Sequence, residues 1–509
     1  MSNDWNEERA KKRIETQYEK VRDVDVVDYT KDMSLENIPV NKAYRMSAAH
    51  LYVDILNLDE ILGTTDVEGV MCHKRTLRFL NLHYRAVERI LNDSDARRVD
   101  FHNQRLHGVV AKPYGDDFNR KRVCRAVAIG NLISQVLAET GEADEMIPDA
   151  KVRIGIDTGT ALVVNNGRHG NREPLFLGKP ANIAAKCAAA GTETGIYLSN
   201  DARAAIGLKT LKDGADRTTA LTSQEIADCE KEAGLTITKD SVIKEWKKEQ
   251  EDSPIGQVEF SRPAPPLKNL DIASLSLANS KRFDGVSIYA DIDGFTAYVD
   301  THISDNAEDV VRTLHVLRSE FDQVVSSDFG GRRIRFVGDC IHGNHLEGTS
   351  QTTDEGATLS GSVLCAGGLR SSFDVALDYL KDQGVETGDL GLAIGLDFGY
   401  ISISRLGIKG TKVRCAIGRC VLQSEAEQRL CSGVETRIGQ TAYDKSNDAI
   451  QELFTDDRCV ANLDYDTAVS ALAAAGDKTA AKAEASVYER AKPAVVSSLS
   501  EPLRPHTRR

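Results

Sequence analysis

Two aspartates 48 residues apart carry the densest chemistry in this chain. Asp291 ends an apolar run in A-D-I-D-G-F-T-A (Ala290–Ala297), and Asp339 closes F-V-G-D (Phe336–Asp339). The first carboxylate falls where a strand ends and the second in a hairpin turn, with Gly338 allowing close backbone approach. Two hard oxygen anions meeting at one spot suit Mg²⁺ or Mn²⁺, which prefer carboxylate and phosphate oxygens. Gly294-Phe295-Thr296 then opens a helix, whose first N–H groups can cradle a phosphate. Either aspartate alone reads equally well as a solvated turn residue. The pair inside this pattern points to a metal and phosphate site.

The elements that must hold these residues are revealed by a repeat. Val152–Thr160 reads V-R-I-G-I-D-T-G-T, and Leu392–Tyr400 reads L-A-I-G-L-D-F-G-Y. Gly155 and Gly178 lie 23 residues apart, as do Gly395 and Gly418, and the second of each pair opens a helix-like run. Leu51–Leu58 (L-Y-V-D-I-L-N-L) matches Ile288–Phe295 (I-Y-A-D-I-D-G-F), and Arg98–Gly108 matches Arg333–Gly343. Four anchors in one order and at nearly constant offset mark a duplication. Each half reads as strand, helix, two strands, helix, then strands and a last helix. In the second half Val286–Ile292 is a buried strand, Ala307–Ser327 has helical apolar spacing, and Arg333–Val337 with Ile341–His345 forms a hairpin around Gly338-Asp339. The expected class is α+β, with helices covering one face of a mainly antiparallel sheet.

Composition sets the borders. Residues 1–43 form a charged helical segment, 44–250 the first domain with a charged, partly helical appendage from Lys209, and 251–282 a linker that includes R-P-A-P-P (Arg262–Pro266). Residues 283–445 form the second domain, and 446–509 a tail with an alanine-rich helix and a frayed P-L-R-P-H-T-R-R end.

F-x-D-I-x-G-F-T with a downstream G-D, then G-I-x-x-G and G-x-x-x-N, resembles the signature of class III adenylyl and guanylyl cyclases. The resemblance spans roughly 44–205 and 283–445 and implies two ferredoxin-like cyclase domains packed head to tail as an intramolecular pseudo-heterodimer. In that family one domain supplies two metal-binding aspartates, and the other a base-reading pair and an Asn-x-x-x-Arg for the transition state. The second half has Asp291 and Asp339, with the Ile292 carbonyl beside them, whereas the first half has Asp54 and Gln104. Conversely, Gly178–Lys186 (G-K-P-A-N-I-A-A-K) puts Asn182 and Lys186 at the transition-state positions, where the second half has Leu422 and Ala426. Each half lacks what the other keeps, so one composite site is complete and its twin is broken.

The resemblance implies two Mg²⁺ or Mn²⁺ ions and conversion of a nucleoside triphosphate to its 3′,5′-cyclic monophosphate plus pyrophosphate. Phe295 and Thr296 would meet the triphosphate, and Lys409 stands where the family often carries a phosphate-binding arginine. Lys186 brings the charge of the family's arginine without its bidentate fork; a plain surface lysine is the other reading. The base-reading positions hold Asp100 and Leu175, so the family's adenine-reading pair is absent. An ionised Asp100 only accepts hydrogen bonds, which suits the cytosine amine, the guanine imide and amine, or the uracil imide. A salt bridge from Asp100 to Arg97 or Arg98 is the structural alternative. Tandem halves with altered base readers resemble the pyrimidine cyclases of bacterial Pycsar antiphage defence, in which cyclic CMP or cyclic UMP activates a partner effector. CTP is the expected substrate, ahead of UTP. A purine cyclase and a non-catalytic nucleotide-binding regulator remain the alternatives.

The rest of the sequence narrows the setting. Across 509 residues the net charge is −13, which opposes broad binding to nucleic acid or membrane surfaces, both polyanionic. No apolar run is long enough to span a membrane, and Met1–Lys20 is too charged for a secretory signal. The 10 cysteines form no C-x-x-C pair, which suits reduced thiols in a cytoplasm and argues against zinc.

Overall fold

The computed structural model describes residues 4–63, 67–141, 147–166, 174–212, 214–408 and 410–491. Among them the two halves build two sheets of the same plan. In the first, the strand Lys42–Ile55 is central, flanked by Arg105–Val110 with Arg97–His102 on one side and by Val152–Asn165 with Pro174–Leu177 on the other. In the second, Ser280–Asp293 takes the central place, flanked by Cys340–His345 with Arg332–Val337 and by Gly391–Leu406. These neighbours are antiparallel; Asp25–Asp28, Gly195–Leu198, Phe260–Ser261 and Glu435–Ile438 add parallel pairings. The class is α+β, and the two similar halves expected from the repeat are present.

The secondary structure follows the local pattern, with longer strands than the apolar runs alone mark. Val286–Ile292 lies inside Ser280–Asp293, a 14-residue strand buried along most of its length. The expected helix over 307–327 ends at Gln323, and Val324–Asp328 continues as a wider π-helical turn. Gly338 has φ +63° with open space around its missing side chain, so the turn geometry alone asks for glycine there. The charged appendage folds as two helices, Ser223–Ala233 and Lys239–Asp252, each opened by a threonine capping box.

Two close contacts bind the halves. Leu406, Val413, Cys415 and Ile417 of the second half join the core of the first, while Leu162, Val164, Leu175 and Leu177 of the first join that of the second. The N-terminal helix Glu7–Glu19 also crosses over. Its Ala10, Ile14 and Tyr18 enter the second half's core. Arg13 anchors it there, donating to Glu320 Oε2 at 3.0 Å and Asp328 Oδ1 at 2.8 Å. The segment 446–491 packs its helices Asp448–Phe454 and Tyr465–Ala474 on the same half. No helix among the described residues is long and apolar enough to cross a membrane.

Candidate active site

The central strand of the second half carries Asp291 two residues before its end at Asp293, and the adjoining hairpin turns at Gly338-Asp339. Both carboxylates are half-buried on the wall of one cleft. Burial, and then the charge of Asp293, raises the Asp291 carboxyl; burial, and then Asp291 itself, raises Asp339. Neither makes an ion pair among the described residues. Carboxylates crowded together in a half-buried cleft repel each other, and the Arg429 charge offsets this at Asp291 only in part, so burial and repulsion still win. The pair, with the Ile292 carbonyl on the same strand, fits divalent metal ions.

The opposite wall comes from the first half. Gly155 on the strand Val152–Asn165 lets the helix Lys179–Ala189 lie directly on the sheet, since an added Cβ would stand 2.1 Å from the Ala184 carbonyl oxygen. That helix carries Asn182 and Lys186 into the cleft. Its N-terminus is capped from the other half, with Lys179 N donating to Asp300 Oδ1 at 2.6 Å. The Asn182 side-chain amide donates to the Thr296 hydroxyl, also across the halves. Lys186 is exposed at the cleft mouth and makes no hydrogen bond or close ion pair among the described residues, though its charge reaches Asp300.

The cleft has two connected compartments. The outer one, about 710 Å³, takes in Lys186, Asp291, Ile292 and Arg429. The inner one is narrow, about 80 Å³, and takes in Asp100, Asn166, Leu175 and Phe336. Asn182, Phe295, Thr296 and Asp339 line both. The structure thus brings the sequence-predicted site residues to one place, except Lys409, which lies outside the described residues. Asp100 does not pair with Arg97 or Arg98. Arg98 donates to Glu88 Oε2 at 2.6 Å, while Asp100 Oδ1 lies 3.2 Å from Arg335 Nη2. Arg335 holds the position in the second half that Asp100 holds in the first, so the two pseudo-equivalent residues meet across the interface. The pair is poorly aligned, and Asp100 Oδ1 has no hydrogen-bond donor among the described residues.

The twin cleft is blocked by charge. Arg105, in the place of Cys340, puts Nε 3.7 Å from Asp54 Oδ2 and Nη1 2.6 Å from Glu425 Oε1. Burial would raise Glu425, but the His102 hydrogen bond and the Arg105 and Arg429 charges win and hold it well below the usual range. An internal cation thus stands beside Asp54, where Gln104, Leu422 and Ala426 leave nothing for a metal or a transition state.

Residue patterns alone miss Tyr52, Asn166, Arg105, Glu425 and Arg429, each of which lines one or both compartments of the cleft. Tyr52 left a signal, because its stack on His107 (4.1 Å between centroids) recurs as Tyr289 on His342 (4.3 Å), and both pairs stand in the repeated motifs. The others lie outside the motifs or replace motif residues, and only the interface shows what they face.

No family model matches the chain. It is 54% identical to a curated protein named uridylate cyclase from Pseudomonas aeruginosa, over 100% of this chain and 99% of that one. A second, named uridylate cyclase from a Rhizobium species, is 37% identical over 82% of each chain. A solved structure described as a class III adenylyl cyclase-like ATP-binding protein from Pseudomonas aeruginosa superposes with a TM-score of 0.91 at 56% identity, covering 93% of this chain and 100% of that chain.

Proposed function

The chain belongs to the class III nucleotidyl cyclases, and from that premise we propose that it converts UTP to 3′,5′-cyclic UMP and pyrophosphate, with CTP as the next substrate. The observation that carries the pyrimidine reading is the narrow inner compartment, where Asp100 offers a buried acceptor and Leu175 an apolar wall in place of an adenine-reading pair. Asp100 alone suits cytosine as well as uracil. The curated relatives named uridylate cyclases support uracil as the preferred base.

In the reaction the ribose 3′-oxygen bonds to the α-phosphorus and the bond from that phosphorus to the bridging oxygen breaks, releasing pyrophosphate. The hydroxyl proton passes to solvent or to the leaving group. Asn182, freed from Thr296 as substrate enters, orients the ribose. Lys186 offsets charge that grows on the α-phosphate. The backbone at Phe295 and Thr296 receives phosphate oxygens, and Lys409 is the proposed further phosphate contact. Asp291, Asp339 and the Ile292 carbonyl would hold Mg²⁺ or Mn²⁺, which supply Lewis acidity at the 3′-hydroxyl and counter-charge for the triphosphate. The product would serve as a messenger to a separate effector in antiphage defence. A cytoplasmic setting is supported by ten cysteines that form no C-x-x-C pair.

The description of the solved relative as ATP-binding favours a purine as the second reading. One assay separates them: purified chain with Mn²⁺ and all four nucleotides in competition, products identified by mass. Cyclic UMP should dominate. Cyclic AMP or cyclic GMP in excess would overturn the pyrimidine reading, and nucleotide binding without pyrophosphate release would make the chain a regulator.

A further inference from the structure

Asn166 ends the first half's strand region and lines the inner compartment, 6% exposed. Arg318, buried on the helix Ala307–Gln323 of the second half, reaches across the interface to it. Its Nη2 donates to the Asn166 backbone oxygen at 3.1 Å and to Oδ1 at 3.0 Å. Phe336, another wall of the compartment, supports the guanidinium from below at 4.0 Å. Arginine carries donors only, so the carboxamide has one permitted orientation, oxygen towards Arg318. The amide Nδ2 is left as the free edge and makes no hydrogen bond among the described residues.

We propose that Asn166, held by Arg318, is a specificity-determining residue that donates from Nδ2 to the C4 carbonyl of uracil. This deepens the pyrimidine reading and rests on it. Uracil and cytosine differ along one edge. Uracil offers O4, an acceptor, and N3–H, a donor; cytosine offers an N4 amine and an unprotonated N3. A fixed amide donor facing position 4 meets an acceptor in uracil and a second donor in cytosine. Asp100, whose carboxylate lines the same compartment with Oδ1 turned to Arg335, offers its acceptor edge to the uracil N3–H. The two residues together read uracil, whereas Asp100 alone reads either base. Arg318 is the positioning residue, because a carboxamide free to flip would offer its oxygen to the cytosine amine. In the twin half the position matching Asn166 is Leu406, a buried core residue that can read nothing.

The test is Asn166→Asp in the full chain, with UTP and CTP competing in the presence of Mn²⁺. Arg318 can keep its hold on one carboxylate oxygen, while the other becomes an acceptor at position 4. The ratio of kcat/KM for UTP over CTP should fall roughly 5- to 100-fold, the range expected when a buried hydrogen bond is mismatched. An active variant with an unchanged ratio overturns the proposal. If that variant is inactive on both nucleotides, Arg318→Gln decides: a reduced ratio supports the proposal, and an unchanged ratio overturns it. A parent protein that prefers ATP or GTP overturns the pyrimidine reading itself, an outcome visible before any variant is made.

Discussion

Lys186 is exposed at the cleft mouth and makes no hydrogen bond or close ion pair among the described residues whose loss would disturb the fold. Lys186→Met should therefore lower kcat by roughly 10²–10³-fold while leaving the unfolding midpoint unchanged, as removal of a transition-state contact does. Lys186→Arg should retain much more activity. An equal loss in both variants would mean that Lys186 acts through packing. A second residue-scale prediction concerns Asp157 and Asp397, which repeat at equivalent places in the two halves. Burial pushes both carboxyls up to about 7, against the hydrogen bonds each accepts, from Ser199 Oγ and from Ala442 N. Unfolded carboxyls titrate near 3.9. Between about pH 4 and 7 the folded chain thus binds more protons than the unfolded chain, so stability falls as pH rises and levels off above about 7. Each site contributes about 1–4 kcal/mol to that fall. Urea midpoints at pH 5 and pH 7.5 should differ less in an Asp157→Asn/Asp397→Asn variant than in the parent; an unchanged difference would remove these groups from the account.

At the scale of elements, the contact that positions the chemistry is helix on strand. A Cβ at Gly155 would stand 2.1 Å from the Ala184 oxygen, and one at Gly395 would stand 2.2 Å from Gln428 N. Alanine at either glycine overpacks an equivalent contact and should cost about 1–3 kcal/mol, read as a lowered Tm. The catalytic consequences should differ. Gly155→Ala shifts the helix carrying Asn182 and Lys186, and displacements on the order of 1 Å cost about 10²-fold in rate. Gly395→Ala shifts the helix Arg419–Leu430, which lines the same cleft with Glu425 and Arg429 but has Leu422 and Ala426 at the positions matching Asn182 and Lys186. Measured kcat should therefore fall at least tenfold further in Gly155→Ala. Equal losses would show that both helices serve the reaction alike.

The whole molecule is an asymmetric pair built from a symmetric plan. One interface places two aspartates from one half opposite Asn182 and Lys186 from the other, and the twin interface joins Asp54 to Arg105 and Glu425. Asp54→Asn keeps the shape and removes one partner of a loose 3.7 Å contact, so kcat should stay within about threefold of the parent. Asp291→Asn should reduce kcat by roughly 10²-fold or more, since it halves the carboxylate pair. Paired steady-state assays on the two variants test the asymmetry. Comparable losses would mean that both clefts turn over.

Much of this was legible in the chain as written. The duplication, the α+β class and the hairpin at Gly338-Asp339 follow from local motifs, because strand and helix patterns and turn glycines act over a few residues. The complementary loss in the two halves was legible through the family resemblance. Asp291 and Asp339 were nameable from their own motifs, whereas Asn182 and Lys186 were nameable only through the resemblance to the class III cyclases. What only the tertiary structure decided lies across the interface. The N-terminal helix docks on the second half through Arg13, Asp100 faces Arg335 rather than its sequence neighbours Arg97 and Arg98, and Arg105 fills the twin cleft. Arg318 and Asn166 are 152 residues apart in the chain, with no motif linking them. Periodicity reports which face of an element is buried, not what it is buried against. Side chains that meet across two folded halves owe their contact to docking geometry, which no stretch of either half encodes alone.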